Sequence, residues 1–165
     1  MTPEQTSVLL SLAQLGVAFA GFAAIVVLFG RGDGGRWKGP DRADRFHGMV
    51  VHALVAVLFC VLPLIIDAFA ENPTAIWRIG SALLGVEIFA HSTGVLRMAT
   101  TIGALARVAV AFGYVVAAQQ FLNAAGIGLE RPFDAYLVGV LWHVIMSGAL
   151  FLMLIWVPKS DVDPA

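Results

Sequence analysis

Five long apolar runs divide this chain, and short polar segments separate them. A helix rising 1.5 Å per residue needs about 20 apolar residues to cross a hydrocarbon core ~30 Å thick, and each run is about that long. The pattern predicts an all-α bundle of five transmembrane helices, over residues 6–29, 46–70, 76–98, 104–125 and 134–157, in one domain covering 1–165. A signal peptide competes for the first run, because Ala18-Phe19-Ala20 resembles a cleavage site. That reading fails on two counts: no Lys or Arg precedes the run, and Val8–Phe29 is longer than a signal core of 7–15 residues.

Within the runs, small and polar residues recur at spacings of three and four, which places them on single helix faces. Ser7, Ser11, Gln14, Ala18 and Gly21 make such a stripe in the first run, beside Gly16, Ala20 and Ala24. Gly48, His52, Ala56, Cys60, Pro63 and Asp67 align in the second, where Pro63 predicts a kink. Ala109, Gly113 and Ala117 align in the fourth, and Ala135, Gly139, His143 and Ser147 in the fifth. Such faces suit close helix contact, within one chain or between copies.

Composition agrees with the pattern. The chain is 59% hydrophobic and 13% charged, with a mean hydropathy of +0.87, which excludes an ordinary soluble domain. Cys60 is the single cysteine, so no intrachain disulfide forms.

The net charge of −1 says little, but its distribution says more. Residues 30–45, GRGDGGRWKGPDRADR, form the one substantial polar loop, in which Pro40 interrupts helix and Asp41 is a candidate cap. The loop lacks the ordered glycines and lysine of a phosphate-binding loop and reads as a cytoplasmic tether. With it inside, one face of the membrane receives Arg31, Arg36, Lys38, Arg42, Arg45, Arg97, Arg107 and Lys159, and the other Arg78 and Arg131. The positive-inside rule then puts the N-terminus outside and the C-terminus in the cytoplasm, as five spans require.

The third run carries the chemistry. Glu87 stands at its middle and His91 one turn on, so the two share a helix face. A charged residue at the centre of a bilayer helix costs roughly 2.5–3.5 kcal/mol on insertion scales, so an intramembrane carboxyl marks a functional site by default. Counted from the predicted span centres, Gln14, His143 and Gln119 fall on the outer half, Glu87 near the middle, and His91 and His52 on the inner half. They form a broken ladder across the bilayer.

Three readings compete for this ladder. The first is a proton or cation pathway, in a proton-linked or cation channel or transporter assembled as a homo-oligomer. The second is a cofactor site: His52 and His91 as axial ligands of a b-type haem, or His52, Glu87 and His91 around a divalent metal. The third is structural, with the polar groups acting as interhelical hydrogen-bond partners in this chain or in a subunit of a larger membrane complex. No nucleophile is flanked by an oriented base, and no basic surface suited to nucleic acid appears outside the mixed loop. Enzymatic readings therefore find little support, and a nucleic-acid reading finds no basic surface. The expected partners are lipid, a small ion, and a second copy or another membrane subunit.

GFAAIVVLFGR, followed by the polar loop and the DRADRF helix start, resembles small bacterial membrane proteins over residues 21–46. The resemblance rests largely on apolar identities. It implies a bacterial cytoplasmic-membrane setting and no activity.

Overall fold

Prolines open four of the five helices in the computed structural model, which describes residues 1–30, 40–70, 72–98, 103–127 and 130–155. The helices are α1 (Pro3–Gly30), α2 (Pro40–Asp67), α3 (Pro73–Met98), α4 (Ala104–Ala125) and α5 (Pro132–Ile155), and no strand occurs among the described residues. A first-turn N–H has no acceptor within its helix, so proline loses nothing there and its fixed φ favours the helical entry. Thr2 caps α1 reciprocally: the Gln5 N–H donates to Thr2 Oγ1 at 3.2 Å, and the Thr2 N–H to Gln5 Oε1 at 3.0 Å. Asn72 caps α3 by accepting from the Thr74 N–H at 2.9 Å.

These entries set α1, α2, α3 and α5 starting earlier than residues 6, 46, 76 and 134, where the apolar pattern puts them. Pro40 begins α2 rather than interrupting a helix, and Asp41 lies within the first turn instead of capping it. At the other end of α4, Gly126 adopts φ +73°. Its N–H bonds the Asn123 carbonyl while the Ile127 N–H reaches Leu122, so the last turn closes through a left-handed residue that glycine occupies without strain. Most of the 30–45 loop lies outside the described residues.

All five helices are long and apolar enough to cross a membrane. The core is largely apolar, and many large apolar side chains also face outward. Leu54, Leu58, Val86, Val108, Val115, Ile145 and Leu152 lie exposed, whereas His52, Ser81, Ser92, Gln120, Asn123, His143 and Ser147 are buried. In lipid the outer surface gains nothing from being polar, and polar side chains find their hydrogen-bond partners inside.

The chain forms two compact units. The first comprises Met1–Leu10 and Phe59–Trp142. Here α3 packs along α4, with the Ser92 side chain seated over Gly113 and Phe121 over Gly85. The Tyr136 ring lies against Gly80, and Trp77 contacts it at 5.6 Å between centroids.

The second unit comprises Ser11–Leu58 and His143–Ala165. α1 meets α2 at Gly16, where a Cβ would stand 2.9 Å from both the Ala53 carbonyl oxygen and Val57 Cγ2. α1 meets α5 through Phe19 and Phe22 against Phe151, and Ala23, Met49 and Leu154 close a small apolar core.

Candidate functional site

In the second unit, one face of α2 and one face of α5 meet through polar side chains. Met49 and His52 lie about one turn apart on α2, as His143 and Ser147 do on α5. The Ser147 hydroxyl donates to the Met49 carbonyl at 3.0 Å, and His52 Nδ1 stands 2.9 Å from His143 Nδ1. Both imidazoles are buried, His52 3% exposed and His143 1%, and the rings approach to 5.2 Å between centroids. Ala53 and Ala56, nearby on α2, are fully buried.

Two Nδ1 atoms at this distance share one hydrogen. One ring donates its Nδ1–H and the other accepts with a lone pair, so at least one ring is neutral and a single proton lies between them. His143 Nε2 is sealed from solvent. Two nitrogens bound tetrahedrally to one zinc ion, each about 2.0–2.1 Å from it, stand wider apart than this, so the geometry is that of a hydrogen bond.

Counting from predicted span centres sets His52 and His143 on opposite halves of the bilayer, whereas their Nδ1 atoms stand 2.9 Å apart. The candidate spans Ala43–Asp67 and Pro132–Ile155 begin earlier than the apolar pattern indicates, and both histidines come close to the middle of their spans. The partner of His52 Nδ1 is His143.

The first unit holds the other candidates. Glu87 and His91 are half-buried on α3, one Glu87 carboxylate oxygen is sealed from solvent, and both side chains are engaged with other groups. Gln119 belongs to a polar clamp at the end of α4. Its Nε2 donates to the Ala135 carbonyl at 3.0 Å, and the same carbonyl accepts from Gln120 Nε2 at 2.7 Å. Gln120 Nε2 also donates to Gln119 Oε1, and Asn123 Nδ2 donates to Ser81 Oγ and to the Pro132 carbonyl. These bonds tie the first turn of α5 to α3 and α4, which gives Gln119 a structural task.

Gln14 differs from the others. It lies exposed on α1, as do Ser7, Ser11, Ala18 and Gly21 of its stripe. The inward face of α1 is instead Leu9, Ala13, Gly16 and Ala23. Among the described residues, no three His, Cys, Asp or Glu side chains are gathered to hold a metal ion.

Sequence reasoning passed over Ser81, Gln120, Asn123 and Tyr136. Gln119, Gln120 and Asn123 lie within two turns of an apolar helix, a spacing that was open to notice. The Tyr136 hydroxyl donates to the carbonyl of Phe59, four residues before Pro63. Proline has no N–H to offer that carbonyl, so Pro63 announces a need for a donor without saying where the donor comes from.

Comparison with protein-family models, with curated proteins and with solved structures finds no match for this chain.

Proposed function

We propose that this chain is a multi-pass protein of a bacterial cytoplasmic membrane that moves protons, or cations coupled to protons. The His52–His143 pair serves as the proton-holding centre. One observation carries the reading: the Nδ1 atoms of two imidazoles, buried among apolar helices, stand at hydrogen-bond distance, 2.9 Å apart. Histidine is the side chain whose ordinary charge change falls between pH 5 and 8, and intramembrane ionisable groups mark proton relays. A structural hydrogen bond between α2 and α5 needs no titrating pair, since a Ser–carbonyl bond one turn away performs that task.

Glu87 and His91 lie one turn apart on α3 and supply a second pair of proton acceptors. One Glu87 carboxylate oxygen is sealed from solvent, and an intramembrane carboxyl marks a functional site by default. The N-terminus faces outward and the C-terminus the cytoplasm, because eight of the ten Lys and Arg then fall on the cytoplasmic side.

The test is proton flux into liposomes carrying the purified chain, driven by a potassium diffusion potential and read with an internal pH dye. The decisive variant is His52→Asn, whose side-chain amide keeps a hydrogen-bonding group near the Nδ1 position but takes up no proton. His52→Asn and Glu87→Gln are expected to reduce flux to that of empty liposomes while the protein remains folded in detergent. Wild-type flux in both variants would sink the proposal, as would no flux from the wild-type chain.

A further inference from the structure

We propose that the exposed face of α1 is the seam through which two copies of this chain pair side by side, with Gln14 of one copy bonded to Gln14 of the other. Ser11, Gln14, Ala18, Gly21 and Ile25 follow one another at alternating spacings of three and four, and every one of them is exposed. This is a heptad seam, whose 3.5-residue period keeps one stripe facing a partner helix along its length. Ser7 extends it by one step in the sequence. Exposed Leu10, Leu15, Val17 and Phe22 flank it.

Two observations, independent of the spacing, indicate that something covers this seam. Gln14 lies at the middle of the candidate span Pro3–Val26, where lipid offers its exposed amide neither donor nor acceptor. Gly21 has no packing reason among the described residues: a Cβ built there meets nothing within 4 Å, whereas one at Gly16 collides with α2. Glycine in a helix interior is less stable than alanine, so an unforced glycine on an outer face fits the close approach of a second backbone.

The occupant that meets both needs is another copy. Two copies inserted with the same topology bring their α1 helices together in parallel about an axis along the membrane normal. Each Gln14 then meets its own equivalent at the same depth. A primary amide both donates and accepts, so the pair is self-complementary. A single polar seam residue also fixes register and the number of strands.

This pairing does not rest on the transport reading. It is tested with the full chain in liposomes, by energy transfer between donor- and acceptor-labelled copies across a range of protein-to-lipid ratios. Gln14→Leu is expected to weaken dimerisation roughly tenfold, the scale of one to two interhelical hydrogen bonds. Gly21→Leu is expected to weaken it as well, while the melting temperature of each variant stays near wild type. Oxidation of Ala18→Cys is expected to give a covalent dimer, and oxidation of Val115→Cys, on the exposed face of α4, is not. A chain that stays monomeric at every ratio, pairs equally well as Gln14→Leu, or cross-links through Val115→Cys rather than Ala18→Cys would overturn the proposal. A dimer lacking proton flux would leave this inference standing and remove only the transport reading.

Discussion

Tyr136 shows how a single residue far along the chain completes what another leaves open. Pro63 withdraws the N–H that would bond the Phe59 carbonyl, and the fully buried Tyr136 hydroxyl supplies the missing donor. Removing it by Tyr136→Phe strands a buried carbonyl, at a cost of about 1–3 kcal/mol. Pro63→Ala restores an N–H to that carbonyl, so Tyr136→Phe is expected to cost much less in the Pro63→Ala background. A double-mutant cycle measured by unfolding in mixed micelles checks this, and additive costs would show that the two residues are not coupled. At this scale the sequence is half legible. Pro63 points to an unsatisfied carbonyl by its chemistry alone, but the identity of the donor depends on which helix lies alongside.

At the scale of the helix, two glycines of α1 separate inward from outward packing. Gly16 lets α1 approach the backbone of α2 at Ala53, and a methyl group there is overpacked. Gly16→Ala is expected to destabilise the chain by about 1–3 kcal/mol. Gly21→Ala, with open space around it, is expected to leave the isolated chain unchanged or to stabilise it by up to about 1 kcal/mol through helix propensity. Thermal unfolding of the two variants in detergent, at concentrations where the chain is monomeric, measures the contrast. Equal effects would mean that α1 does not pack through the Gly16 face.

The same helix shows where pattern reading fails. The stripes of α2, α4 and α5 are largely buried, His52, Ala56 and Cys60, Gly113 and Ala117, and Ala135, Gly139, His143 and Ser147 among them. Small and polar side chains do indicate the packed face there. On α1 both faces carry small residues, and polarity at Ser11 and Gln14 points to the wrong one. Helix entries were a different matter: Thr2-Pro3 with Gln5, and Asn72-Pro73, are cap signals that an apolar window ignores, because capping residues are polar and lie outside the runs.

At the scale of the molecule, the distribution of charge and of exposed apolar residues bears on topology. Arg45 reaches the Met153 carbonyl at 3.5 Å, so the start of α2 and the end of α5 lie at the same end of their unit. The proposed orientation puts that end in the cytoplasm. A cysteine at exposed Asp44 is therefore expected to react with a membrane-impermeant thiol reagent only after cells are opened, and one at exposed Glu130 in intact cells. Cys60 is fully buried and gives little background. The reverse labelling pattern would invert the orientation, and labelling of both positions in intact cells would exclude three membrane crossings between them.

What the sequence determined by itself is the set of five helices. Each follows from a local property, an apolar run about as long as a bilayer is thick, and so needs no knowledge of its neighbours. It also supplied the polar side chains that such helices must accommodate, with Glu87, His91, His52 and His143 all visible as costly residues in apolar surroundings. The tertiary structure alone decided which of them meet. Whether His52 meets His143, whether Gln119 clamps α5, and whether Gln14 faces in or out depend on the rotation and axial offset of each helix. A rotation of half a turn or a shift of one turn changes little in a helix's own hydropathy, yet it exchanges every partner. Those choices are made by close contacts between helices, as at Gly16, Gly113 and Gly139, where the helices fit in one arrangement.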